Sequence, residues 1–262
     1  APEGGSARNY WFSYVGGDLV INPAEQTGVS APDVTVDYDG DPHSISVTQT
    51  GGTVRYGTAL GVYNLSAPPE YVGAGTYVVH YKVVKANHVD YADSATLTIG
   101  RAGLPKPAAD ATEFVYDGTE RTYAPGGFAA ATMRIYDERR TDAGTQTVTV
   151  SIRDKANYAW TDGTDGDVTF QFTVKPIVAT FTVTLGYDTV VYDGSAKEPA
   201  VTVTGPLGTV DPGQYDVSYG ANNVDAGTVT VAVTGKTGGN YKGSSGSKDF
   251  LIQKATLTAK YV

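Results

Sequence analysis

Apolar and polar residues alternate with a period of two over long stretches of this chain, and no window holds a 3.6-residue period for ten residues. The clearest run places Tyr77, Val79, Tyr81 and Val83 on one side. Gln146, Val148, Val150 and Ile152 form a second such series, set between Thr147, Thr149 and Ser151. Val229, Val231 and Val233 form a third, ending at Gly235, among Thr228, Thr230 and Thr234. Successive side chains of a strand point to opposite faces, so each series predicts a strand with one face against a core and the other toward water. The stretches 95–99, 168–174 and 249–252 alternate in the same way and predict a closing strand after each. The expected fold class is all-β, without a long helix.

The predicted strands recur at a fixed period, which is the signature of repeat architecture. Tyr-Asp-Gly occurs at Tyr38-Asp39-Gly40, Tyr116-Asp117-Gly118 and Tyr192-Asp193-Gly194, at spacings of 78 and 76 residues. A second marker follows each: Gly73-Ala74-Gly75-Thr76, Asp142-Ala143-Gly144-Thr145 and Asp225-Ala226-Gly227-Thr228. A third comes later, as Ala86-Asn87 before Tyr91, then Ala156-Asn157-Tyr158, then Gly239-Asn240-Tyr241. Apolar residues lead into each Tyr-Asp-Gly, which therefore reads as a turn closing a strand: Asp bonds its own backbone and Gly accepts positive φ.

Pro-bearing joints at Pro32, Leu104-Pro105-Lys106-Pro107 and Lys175-Pro176 divide the chain into repeats over 29–102, 103–177 and 178–256. The second is short, with 26 residues from its first key Gly to its second, against 35 and 33 in the others. A strand or loop is expected to be missing there. Residues 1–28 read as the end of a preceding repeat, with Asn9-Tyr10, a Gly-Gly turn and a strand at Leu19-Val20-Ile21. Residues 257–262 read as the start of a following one.

Composition strengthens this reading. Val occurs 32 times and Leu 9 times; Tyr occurs 19 times and Met once. β-Branched and aromatic residues fit pleated surfaces, whereas a helical chain favours straight side chains. Gly, at 32, and Pro, at 13, supply the turns that many short strands need. The net charge of −9 argues against a nucleic-acid partner, which needs a basic face, and against adsorption to anionic membranes. No apolar run reaches 18 residues, so no membrane insertion of this segment is expected. The chain has no Cys, which removes disulfides, zinc-thiolate sites and thiol nucleophiles.

Candidate chemistry is sparse. The three His residues, His43, His80 and His88, all lie in the first repeat, and no Gly-x-Ser-x-Gly elbow accompanies them, so no catalytic residue is assigned. Asp37, Asp39 and Asp41, and Asp162, Asp165 and Asp167, are oxygen-rich clusters of the kind calcium favours. Neither has the full calcium-loop spacing and neither recurs in the other repeats; both read as solvated hairpin tips, and no metal or cofactor is expected. Exposed aromatics can stack on sugars. Trp11, Phe12 and Tyr14 form one group, and Tyr158 with Trp160 another, the alternative being core or edge packing. Tyr158 and Trp160 are the binding candidates. Lys82 and Lys197 are conceivable donors of isopeptide crosslinks, without an evident acid partner.

The third repeat, with Tyr192-Asp193-Gly194, Glu198-Pro199, Tyr215-Asp216-Val217-Ser218-Tyr219, Asp225-Ala226-Gly227-Thr228 and Gly239-Asn240-Tyr241-Lys242-Gly243, resembles the Tyr-Asp-Gly type of immunoglobulin-like repeat of bacterial cell-surface, adhesin-like proteins. The first repeat resembles a sister pattern, and the second matches least. The resemblance covers most of residues 29–256. It implies tandem β-sandwich repeats arranged as an elongated array, export, and display at a bacterial surface. The stretch Gly73-Ala74-Gly75-Thr76-Tyr77 is also similar to the tyrosine corner of immunoglobulin sandwiches, with Val79 where antibody domains carry Cys. A β-grasp fold is the rival and would require a helix. The expected role is a non-catalytic stalk or spacer whose partners are neighbouring repeats of the chain. The alternatives are an adhesive module for a host glycan or protein, centred on the Trp160 loop, and an accessory region of a large surface enzyme.

Overall fold

The computed structural model describes residues 16–111 and 113–258. Trp11, Phe12 and Tyr14 lie outside that range. Among the described residues the only helical element is a single 3-10 turn, Pro212–Gln214, so the helix a β-grasp fold would need is not there. The chain divides into two compact units, Ala1–Ala102 and Gly103–Val262.

The first unit contains strands β1 (Val34–Asp37), β2 (Thr53–Gly57), β3 (Gly75–Val84) and β4 (Tyr91–Gly100). They form one sheet in the order β1-β4-β3-β2. The first strand runs parallel to the last, with Val34 opposite Leu97, while β4 with β3 and β3 with β2 are antiparallel. The alternation in β3 does what its sequence dictates: Val79, Tyr81 and Val83 are buried, and Val78 and Val84 are exposed. They meet Ala95, Leu97 and Ile99 of β4 in one core. The opposite layer is irregular, joined by isolated bridges between Ser30 and Thr48 and between His43 and Tyr71, and it contributes Ile45 to the core. Leu19-Val20-Ile21 forms no strand and is 86%, 73% and 83% exposed. Among the described residues no neighbouring strand offers those three a ladder; further on, Ala24 bridges to His88, and Gln26 Nε2 donates to the carbonyls of Val83 and Val89.

Tyr77 forms a tyrosine corner. Its Oη donates to the Gly73 carbonyl at 2.9 Å, four residues upstream, and its ring stacks on Tyr71 at 3.9 Å. Val79, two residues on, is fully buried. This geometry, on the third strand of a sheet whose last three strands are antiparallel neighbours, is that of an immunoglobulin-like sandwich. Tyr77→Phe is expected to cost about 1 kcal/mol, the net worth of one neutral hydrogen bond, in equilibrium urea unfolding.

Strand β5 (Ala102–Leu104) begins at the boundary, and the second unit carries β6 (Phe114–Val115), β7 (Arg121–Thr122), β8 (Met133–Tyr136), β9 (Arg139–Arg140), β10 (Gly144–Ile152), β11 (Tyr158–Trp160) and β12 (Val168–Lys175). It continues with β13 (Thr182–Leu185), β14 (Thr189–Val191), β15 (Val201–Gly205), β16 (Gly208–Thr209), β17 (Tyr215–Tyr219), β18 (Gly227–Gly235) and β19 (Ser245–Gln253). Two four-stranded sheets repeat the arrangement of the first unit: β6-β12-β10-β8 and β14-β19-β18-β17. In both, the first strand is parallel to the last and the other pairs are antiparallel. The short stretch between Gly118 and Gly144 therefore keeps its sheet strand, β8. What it lacks is the β15–β16 hairpin that precedes the corresponding strand β17 in the third repeat.

In the third repeat a small sheet, β13-β15-β16, forms the second layer. Its Val183 and Val203 pack with Val233, Tyr215 and Phe181. In the second repeat Tyr123, Met133, Val148, Val150, Trp160, Phe170 and Phe172 share a core, covered by the two-stranded pieces β5-β11 and β7-β9.

Candidate functional site: the Tyr-Asp-Gly corner and the joint it builds

The three Tyr-Asp-Gly corners have the same construction. The amide of Tyr38, Tyr116 or Tyr192 donates to the carbonyl of Gly100, Lys175 or Gln253, extending the parallel pairing by one bond at 2.8, 2.8 and 2.9 Å. The Asp carboxylate then accepts the backbone amide two residues on: Asp41 to Asp39, Thr119 to Asp117 and Ser195 to Asp193. Gly40, Gly118 and Gly194 have φ of 89°, 82° and 83°, a region a side chain disfavours. The corner is thus an Asx-turn that stops a strand, not the tip of a hairpin, because the strand it ends pairs in parallel with the last strand of its repeat.

A repeated charge pair, not recognised in the sequence pattern, completes the corner. Four residues after each Asp stands His43, Arg121 or Lys197, and each reaches back to its carboxylate. His43 Nε2 is 2.9 Å from Asp39, and Lys197 Nζ is 2.5 Å from Asp193 and 3.2 Å from Ser195 Oγ. Lys197 is buried, and Asn223 bonds its backbone on both sides. Its acid partner is Asp193, which the linear sequence did not disclose. Lys82 has one in Asp90, at 2.6 Å. Both are ion pairs, whereas amide formation needs a neutral amine and a protonated acid.

All three corner carboxylates lie below the ordinary Asp range. For Asp39 the Asp41 amide is the largest cause, with His43 next. For Asp117 the Thr119 hydroxyl and amide lead. For Asp193 the Lys197 ammonium leads, followed by Ser195. A carboxylate with a depressed folded pKa adds stability that is present above the unfolded value and lost as pH falls through the folded value. The melting temperature is therefore expected to hold from pH 7 to about 5 and to fall below about pH 4, the unfolded Asp value. Asp193→Asn, Asp117→Asn and Asp39→Asn combined should flatten that fall in a thermal melt series.

Within the second unit, the corner of the second repeat meets the third. Asn240, 4% exposed, is the central contact. Its Oδ1 accepts the Ala143 amide at 2.7 Å and its Nδ2 donates to Asp142 Oδ1 at 2.9 Å. A backbone N–H needs an acceptor and a carboxylate needs a donor, so the amide fits in one orientation only. The Asn240 carbonyl accepts the Ile177 amide at 2.9 Å, and its own amide donates to Gln214 Oε1 at 3.0 Å. Beside it Tyr241 lies edge-on to Tyr116 at 5.9 Å and tilted against Phe181 at 5.6 Å. Burial, with Tyr116 beside it, pushes the Tyr241 hydroxyl pKa up. Tyr116, the corner Tyr of the second repeat, thereby packs against the core of the third. Ser244, 2% exposed, ties the linker by donating to the Ile177 carbonyl and accepting the Ala179 amide. A cleft of about 450 Å³ opens beside these residues, with Asp211 and Gln214 on its rim. Asp142 and Asp211 there already accept hydrogen bonds from the protein, and Asp117 pairs with Arg121.

The sequence-nominated binding residues fall elsewhere. Trp160 is 1% exposed, with its Nε1 donating to the Gly166 carbonyl at 2.7 Å. Its ring belongs to the core of the second repeat and is closed to a sugar, which is the packing alternative. Tyr158 is half-buried against the same core. The acid clusters are divided among cations and amides: Asp162 holds Lys106 at 2.7 Å and Asp167 holds Lys155 at 3.2 Å. Among the described residues no three His, Cys, Asp or Glu side chains converge as metal ligands. His88 Nδ1 lies 2.9 Å from the Ala86 carbonyl, within its own turn.

No protein-family model and no curated protein sequence matches the chain. Solved structures similar to it include immunoglobulin domains 1–5 of Sidekick-1, at 10% identity and TM-score 0.34, covering 88% of this chain. The chain spans 59% of that structure's length. A second is a Bacteroides ovatus glucan-utilisation protein, SGBP-B, solved with a mixed-linkage heptasaccharide, at 11% identity, TM-score 0.19 and coverage of 92% and 72%. A third is the insect immune protein hemolin, at 11% identity, TM-score 0.26 and coverage of 87% and 76%. No helix among the described residues is long and apolar enough to cross a membrane.

Proposed function

We propose that this chain is a non-catalytic spacer of tandem immunoglobulin-like repeats, displayed outside a bacterial cell as part of a larger adhesin-like protein. The observation that carries the reading is the joint at Asn240. One buried amide, a linker bonded along its backbone and two edge-on tyrosines fix one repeat against the next, which is what a part that sets distance requires. The parallel pairing of first and last strands supports it. A repeat built so has its entry and exit at opposite ends, and tension along the chain loads the closing hydrogen bonds in shear rather than one at a time. The sequence resemblance to Tyr-Asp-Gly surface repeats points the same way.

The test is to stretch single full-length molecules between their termini in a force microscope and to present the same protein to arrays of glycans and extracellular proteins. Discrete unfolding peaks with no array ligand support the spacer. Extension without resolvable peaks, or a ligand bound at micromolar concentration, replaces it with the adhesive alternative.

A further inference from the structure

The far end of the third repeat presents the same receiving residues that the second repeat uses to hold Asn240. In register, Tyr116, Asp142 and Ala143 correspond to Tyr192, Asp225 and Ala226. The first set is covered: Tyr116 packs on Tyr241, Asp142 accepts from Asn240, and the Ala143 amide donates to it. Among the described residues nothing covers the second set. Tyr192 is 39% exposed, and Ala226 is exposed with its amide N–H bonded to nothing among the described residues. Asp225 uses one oxygen to hold Asn222 at 3.0 Å and leaves the other unbonded among the described residues. These residues border a cleft of about 350 Å³ with Ala255 and Leu257, the latter 96% exposed. The backbone around both sets is alike, since each Tyr amide is tied to the last strand and each Asp-Ala leads into the third strand of its sheet.

We infer that this face is a docking site for the Gly-Asn-Tyr loop of a further repeat of the third repeat's kind. The incoming Asn caps the Ala226 amide and donates to the free oxygen of Asp225, and the incoming Tyr packs edge-on against Tyr192. Three recognition elements then recur at the two ends of the third repeat: the corner Tyr, the Asp-Ala step and the Asn-Tyr loop. The inference rests on the reading of Asn240 as the lock of a spacer, and it adds that the lock is a reusable pairing rather than a contact peculiar to one joint.

The test duplicates residues 176–253 in tandem immediately after Gln253 in the full chain and measures amide hydrogen exchange by NMR. In the unmodified chain the Ala143 amide is expected to be protected and the Ala226 amide to exchange as an open one. In the duplicated chain Ala226 should slow by about tenfold or more, and Asn240→Ala in the appended copy alone should return it to the open rate. An unprotected Ala143 in the unmodified chain defeats the spacer lock itself. A protected Ala143 with an unchanged Ala226 defeats only the inference. A second variant does not depend on the appended copy folding: Thr141→Val, Pro176→Lys and Ile177→Ala give the existing joint the residues found at Val224, Lys254 and Ala255. Ala143 should stay protected within about tenfold, and its loss of protection overturns the inference.

Discussion

Replacing Trp160 by Ala is expected to destabilise the second unit by about 3–5 kcal/mol, the range for truncating a buried aromatic ring. The indole is 1% exposed, and its neighbours in the core are large: Tyr123, Met133, Phe170 and Phe172. The cavity left behind cannot collapse easily, because those side chains come from β8, β12 and the segment before β8, each tied into a ladder or a hairpin. The lost Nε1 donor also leaves the Gly166 carbonyl without the bond that folds the loop back over the ring. Trp160→Phe keeps much of the ring and should cost less, with the missing donor accounting for about 1 kcal/mol. Urea unfolding followed by far-ultraviolet circular dichroism measures both. The result also separates two roles for this residue. A sugar-stacking tryptophan would lose binding with little change in stability, and an unchanged unfolding midpoint for Trp160→Ala would return the ring to the surface.

The alternation of β3, β10 and β18 was legible because a strand writes its burial directly into its sequence at period two. The Tyr-Asp-Gly turns were legible for a similar reason, since the Asx bond and the positive φ are both local. Contacts between distant residues were not. Asn240 was visible as a marker, yet its partners Ala143 and Asp142 lie 97 and 98 residues away, and no local pattern names them. A buried Asn in a Gly-Asn-Tyr loop reads the same as one that merely turns the chain. The second repeat shows a related blindness. It has Gln146 where the first repeat has Tyr77, and the sequence registers only that the Tyr is missing. In the structure Gln146 donates to the carbonyls of Asp137 and Arg139, and Arg140 reaches the carbonyls of Asp142 and Ala143 at 2.6 and 3.0 Å. Two long polar side chains fasten the corner that one Tyr fastens in the first repeat. The same corner then offers the Ala143 amide to the joint, so the substitution and the docking are parts of one arrangement. Trp160 illustrates the opposite case, in which the residue type is compatible with two roles and only burial decides between them.

Asn240→Ala should cost about 2–4 kcal/mol, combining a neutral hydrogen bond with one to a carboxylate. More informative than the size is the form of the loss. The Ile177 and Gln214 bonds use the Asn240 backbone and survive in the variant, so the loop stays in place and only the grip on Ala143 and Asp142 is released. The second and third repeats should then unfold in separate steps, each with a smaller denaturant dependence, because each exposes less surface than the pair unfolding together. Asn240→Asp sets a carboxylate against Asp142 and turns the attraction into repulsion. At pH 7 it should be worse than Ala. The difference should shrink in acid, because two carboxyls held this close favour the state in which one carries a proton and donates to the other. A mere packing role for Asn240 predicts the reverse ranking, since Asp matches Asn in volume and Ala does not. Denaturant titrations of the three proteins at pH 7 and near pH 4 distinguish the two: if Asp is tolerated better than Ala at both, the amide is filling space, and the joint owes its order to the tyrosines and the linker backbone alone.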